Sequence, residues 1–108
     1  MAKWLVIVES DCSDATQERE FNDWYNKTHI PDVLETPGVV RATRYETLDP
    51  SAGTSKYLAA YEVEADDLQT VMKAVGQNVA KKAAQGRMSA LLQVTSTRSY
   101  RQVFSRSR

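Results

Sequence analysis

The sequence predicts an α+β domain of order β-α-β-β-α-β, with four strands in one antiparallel sheet. Four short runs rich in Val, Ile, Thr and Tyr read as strands. Two longer segments carry apolar residues at helical spacing. A loop containing Pro50 and Gly53 joins the two middle strand runs as a hairpin.

Each element has its own signal. Lys3–Glu9, KWLVIVE, is short and dense in β-formers, as a buried strand is. Asp11–Asp14 is polar and turn-forming, and either Asp14 or Thr16 caps the helix that follows. From Gln17 to about Thr28, the residues Phe21, Trp24, Tyr25 and Thr28 stand at i, i+3, i+4 and i+7. Pro31 is expected to end or kink this helix, because it lacks an N–H and restricts Ile30 before it. Asp32–Glu35 adds one further turn, closed by Pro37-Gly38.

Val39–Leu48 reads as the second strand. Val39, Arg41, Thr43, Tyr45 and Thr47 are expected on one face, and Val40, Ala42, Arg44 and Glu46 on the other. Lys56–Glu64 is the third, with Tyr57, Ala59, Tyr61 and Val63 together. Asp66 starts a second helix with the stripe Leu68, Val71, Met72, Val75 and Val79, which ends near Ala84 before Gly86. Met88–Leu92 connects to a last strand, Gln93–Phe104. Two β-α-β halves joined by a hairpin make the ferredoxin-like split βαβ arrangement. Both helices then cover one face of the sheet, and the bare face calls for a second subunit.

The 108 residues suit one domain, placed at 1–104, with 105–108 as a flexible solvated tail. Fourteen basic and fourteen acidic residues cancel, so no basic field invites nucleic acid or a membrane surface. No apolar run is long enough to span a bilayer, and a cytoplasmic location is expected. Cys12 is the single cysteine and His29 the single histidine, too few for a Cys/His metal site; neither a metal nor a cofactor is expected.

Phe21–Gly38, FNDWYNKTHIPDVLETPG, holds the chemistry. His29 follows an aromatic helix just before a proline break, where an imidazole can give and take protons. The bland alternative is a helix C-terminal cap. Tyr25 lies one turn earlier, and Asp32, three residues later, is placed to orient the ring and raise its basicity. Tyr45, Tyr57 and Tyr61 either line a substrate cavity or pack the strands. Arg41 and Arg44 alternate faces, so at most one points inward; Arg41 is taken as the substrate-binding one. Trp24 is read both as a core anchor and as a wall of the substrate site.

The same run resembles the EthD-like branch of the dimeric α/β-barrel superfamily. The likeness rests on the aromatic pair Trp24-Tyr25, then His29 and Pro31, then Asp32-Val33-Leu34 and Pro37-Gly38, supported by KYLAAYEVE at Lys56–Glu64. As a layout it covers Lys3 to Phe104. The resemblance implies a homodimer with a pocket between sheet and helices. It also implies members of several chemistries: dehydratases, cyclases, isomerases and monooxygenases. The reading leans towards a cofactor-independent lyase, dehydratase, cyclase or isomerase, acting on a small hydrophobic, aromatic or polyketide-like compound by His29 proton transfer. The alternatives are a non-catalytic dimeric small-ligand-binding protein and a cofactor-free monooxygenase of the same superfamily. Enzymes of the group that need two imidazoles, or a His–Cys pair, do not match a chain with one His.

Overall fold

The computed structural model describes residues 1–49 and 53–108. Pro50, part of the expected hairpin loop, lies outside the described residues. The strands are β1 (Ala2–Cys12), β2 (Val39–Glu46), β3 (Tyr57–Ala65) and β4 (Leu92–Arg101), all paired antiparallel in the order β2-β3-β1-β4. Between β1 and β2 runs α1 (Glu18–Trp24), a π-helical turn (Tyr25–His29) and α2 (Ile30–Leu34); α3 (Leu68–Ala84) joins β3 to β4. This is the ferredoxin-like fold.

Asp14 caps the first helical stretch, its carboxylate accepting from the Thr16 backbone N–H at 3.0 Å. Asp67, rather than the expected Asp66, caps α3 by accepting from the Gln69 N–H. The last strand stops at Arg101, short of the expected Phe104, and 102–108 are exposed.

The largest departure from expectation is at Pro31. It neither ends nor breaks the helix. Ile30 stays helical (φ −58°, ψ −51°), and its N–H bonds back to the Tyr25 carbonyl, five residues earlier. Pro31 stands in the first turn of α2, after a wide turn of the kind that accommodates a ring which would clash inside an ordinary helix. His29 lies on the inward face with Phe21 and Tyr25, as their four-residue spacing requires, and all three are buried.

The core lies between the helices and one face of the sheet. β1 contributes Val6, and β3 contributes Tyr57, Ala59, Tyr61 and Val63; from the helices come Phe21, Tyr25, Val33 and Val71. Gly38, at φ +98°, makes the turn into β2, and its carbonyl accepts from Glu64 N–H at 2.9 Å. A Cβ there would stand 2.9 Å from Val71 Cγ2, so the glycine lets α3 approach the turn.

A bulge between Val39 and Arg41 corrects the expected strand faces. Val39 pairs with Val63 and is buried under the helices, whereas Arg41 pairs with Glu62 on the opposite face. Val39, Ala42 and Arg44 therefore share the helix side. Leu5, Ile7, Arg41, Tyr45 and Tyr100 lie on the open side, where Val40, Tyr45 and Tyr100 are about half exposed.

Candidate functional site

A hollow of about 100 Å³ lies between sheet and helices. Its floor is Val6, Val8, Val39, Tyr61 and Val63; its roof is Tyr25, His29 and Val33 with Met72, Val75 and Val79 of α3. Leu92 and Val94 of β4 complete the wall, and the exposure of Val94 marks the open side. The wall is aliphatic apart from three groups: the imidazole of His29 and the hydroxyl-bearing rings of Tyr25 and Tyr61.

His29 is fixed by ring packing. Trp24 stacks on it, with centroids 4.9 Å apart and planes 19° from parallel, and Tyr25 meets it edge-on at 5.0 Å. Phe21 backs Tyr25 at 5.7 Å in the same edge-on manner. Trp24 is held in turn: its indole N–H donates to the Arg87 carbonyl at 2.8 Å.

Asp32 is buried, and its charge favours a protonated His29 as expected, but its carboxylate oxygens are engaged elsewhere. Both its carboxylate oxygens are taken by Arg87, with Nε at 2.8 Å and Nη2 at 2.9 Å. That pairing holds the Asp32 carboxyl below its usual range against the opposing effect of burial. Arg87, which sequence reading did not single out, thus ties α2 and Trp24 to the α3–β4 loop. No local motif announces it, because its partners are 55 and 63 positions away.

Of the other expected substrate contacts, Tyr61 lines the hollow. Tyr57 packs beside Phe21 (5.9 Å), its hydroxyl donating to Glu18 and accepting from Asn22. Tyr45 and Arg41 lie on the open side, away from the hollow, with Arg41 3.6 Å from Glu62. Their alternation with Ala42 and Arg44 puts them there. Arg44 is the inward arginine, its guanidinium carbon 4.1 Å from the Tyr25 ring centre.

Burial dominates the electrostatics. It pushes the Tyr25 and Tyr61 hydroxyls well above the ordinary phenol value, so both are O–H donors at neutral pH. Tyr25 interacts with the hydroxyls of Tyr61 and Ser10. Burial also holds His29 below its ordinary 6.5; the Asp32 charge opposes this and the Arg44 charge adds to it. The imidazole is therefore neutral at pH 7 and able to accept a proton. Among the described residues no cluster of His, Cys, Asp and Glu is arranged to hold a metal ion.

As the only histidine, His29 will give one imidazole signal in an NMR titration, with a midpoint below 6.5. The unfolded chain binds this proton more readily than the folded one. Stability should be fully present above about pH 6.5 and decline as pH falls from there towards the folded midpoint. A midpoint at or above 6.5 would contradict the packing described.

Among solved structures, the chain is similar to an ethyl tert-butyl ether degradation (EthD) family protein from Bacillus halodurans, at 22% identity and TM-score 0.51, covering 88% of this chain and 95% of that one. It is similar to a structure described as an antibiotic biosynthesis monooxygenase from Bordetella bronchiseptica (10% identity, TM-score 0.70, 96% and 100% covered). It is also similar to the heme-degrader MhuD of Mycobacterium tuberculosis, solved with two hemes bound (18% identity, TM-score 0.63, 96% and 99% covered). Two further similar structures are described as dimeric ferredoxin-like proteins. No curated protein matches the sequence. The ferredoxin-like fold stands, and the likeness to an EthD family protein is consistent with it. The cofactor-independent lyase, dehydratase, cyclase or isomerase does not: the neighbours carry monooxygenase and heme-degrader descriptions, which point to the oxygenase alternative. The DUF4286 family model, a domain of unknown function, matches residues 6–97, and the chain belongs to that family.

Proposed function

We propose that the chain is a cofactor-free monooxygenase acting on a small, flat, electron-rich aromatic compound. The observation that carries this is a neutral, buried imidazole on the wall of an otherwise aliphatic hollow, beside two phenols that stay protonated. A hollow with this lining suits a flat ring system with one or two polar groups.

The reaction needs no group the chain lacks. His29 takes a proton from an acidic ring position, such as a CH₂ flanked by aromatic rings and a carbonyl. Tyr25 and Tyr61 donate hydrogen bonds to the oxyanion that forms. The delocalised anion gives one electron to O₂, and the resulting pair combines at carbon as a peroxide. The peroxide takes up a proton and loses water, leaving C=O. The substrate loses four electrons, O₂ gains four, and the net change is CH₂ + O₂ → C=O + H₂O. The dry wall protects the anion from water until oxygen arrives.

Haem is the other occupant that a neighbour's description suggests. The lining does not fit it. A haem brings two propionates, and no Lys or Arg lines the hollow; the one imidazole is packed face-on against Trp24. No step is routed through haem here.

We also propose that a second copy covers the open sheet face, forming a homodimer that stays in the cytoplasm. Leu5, Val40, Tyr45 and Tyr100 are the apolar surface it would bury. Light scattering at micromolar concentration should return twice the chain mass; a monomer would contradict this.

Oxygen uptake with a dihydroxyanthrone probe tests the activity. One O₂ should be consumed per anthraquinone formed, and His29→Gln should slow turnover by roughly 10²–10⁴-fold. Undiminished turnover in that variant, or no uptake by the unmodified protein, would overturn the proposal.

A further inference from the structure

Arg44 is a half-buried cation without a counter-ion among the described residues. It sits on the helix side of β2, and its Nη1 donates to Asn26 Oδ1 at 2.8 Å. Its Nε and Nη2 are buried and have no hydrogen-bond partner among the described residues. Those two N–H groups share one edge of the guanidinium, the edge that grips a carboxylate side-on. Arg87 shows that use within the same chain, giving its Nε and Nη2 to Asp32.

In place of an acid, Arg44 has rings. Its guanidinium carbon is 4.1 Å from the Tyr25 centroid, 5.2 Å from Tyr57 and 5.8 Å from Phe21. Cation–π contacts offset only part of the cost of taking a charge out of water. The nearby acid Glu18 is already engaged by Lys56 and Tyr57. The fold therefore keeps an uncompensated positive charge against the face of a ring that itself lines the hollow.

We infer that Arg44 is a positioning residue that makes the hollow select its ligand as an anion, a phenolate or enolate, by acting through Tyr25. This rests on the oxygenase reading and names the ionic form of its substrate. The wall itself offers no cation, so an anion inside would otherwise be desolvated without balance. A cation against the Tyr25 ring strengthens its O–H as a donor to an oxyanion.

The charges facing His29 fit the same scheme. Asp32, from α2, is ion-paired with Arg87 of the α3–β4 loop and still favours the imidazolium; Tyr25 and Tyr61 are uncharged. Arg44, from β2, has no acidic partner among the described residues and opposes Asp32 at the imidazole. Its field opposes an imidazolium until a substrate anion arrives to balance both cations.

The probe is 4-nitrophenol, whose phenolate absorbs visible light. The protein should bind it as phenolate even below its free midpoint, and should prefer it to 4-nitroanisole, which cannot ionise. Arg44→Met should weaken phenolate binding roughly ten-fold, the scale of one unit charge at this range, while Arg44→Lys retains most of it. Equal binding by the Met variant, or a loss as deep in the Lys variant, would overturn the inference. The comparison with 4-nitroanisole uses the unmodified protein, so the test survives a variant that fails to fold; absence of preference there also overturns it. None of these assays involves oxygen. A protein that selects phenolate through Arg44 yet consumes no O₂ would sink the oxygenase reading alone.

Discussion

The widened helical turn at Tyr25–His29 is the constraint on which the site depends. The Ile30 N–H reaches back to the Tyr25 carbonyl, the helical path runs on through Pro31, and His29 sits on the buried face within that turn. Trp24 and Tyr25 then close on the imidazole from two sides. Arg87 secures the arrangement from a distance, holding Asp32 with its guanidinium and the Trp24 indole with its carbonyl. A ring packed this way has little freedom to turn, which is what proton transfer to a bound molecule requires.

The polarity of the hollow follows from the same packing. Its aliphatic wall strips water from every polar group that reaches it. Burial keeps the imidazole uncharged and the two phenols protonated. One imidazole and two protonated phenol rings therefore line the space, with a cation held against the face of the Tyr25 ring. That set suits a reaction passing through a delocalised anion. The acidic residues near it, Asp32 and Glu18, are both paired with cations and leave no second negative charge to compete.

Much of the fold was legible because its signals are local. Alternation in β3 placed Tyr57, Ala59, Tyr61 and Val63 on the buried side, and the spacing of Phe21, Trp24 and Tyr25 marked the helix that covers them. The family resemblance rested on the run that does hold the imidazole. What escaped was set by geometry without a sequence signature. The bulge at Val39–Arg41 moves Val39 to the side of Arg44 and leaves Arg41 outside; nothing in VVRATR announces an extra residue. The π turn reverses the usual meaning of a proline after an aromatic helix. Asp32 looked free to orient His29 because Arg87, 55 positions on, cannot be seen from the motif. The chemistry read from one imidazole was too narrow, since a base in a dry pocket serves oxygenation as well as elimination.

The central claim is that His29, neutral in the free protein, accepts a proton from a bound electron-rich phenol or enol. The most direct test is the ¹⁵N spectrum of its imidazole, recorded without oxygen before and after adding the dihydroxyanthrone. The account predicts a neutral imidazole alone and an imidazolium in the complex. An imidazole that stays neutral with the ligand bound would contradict it.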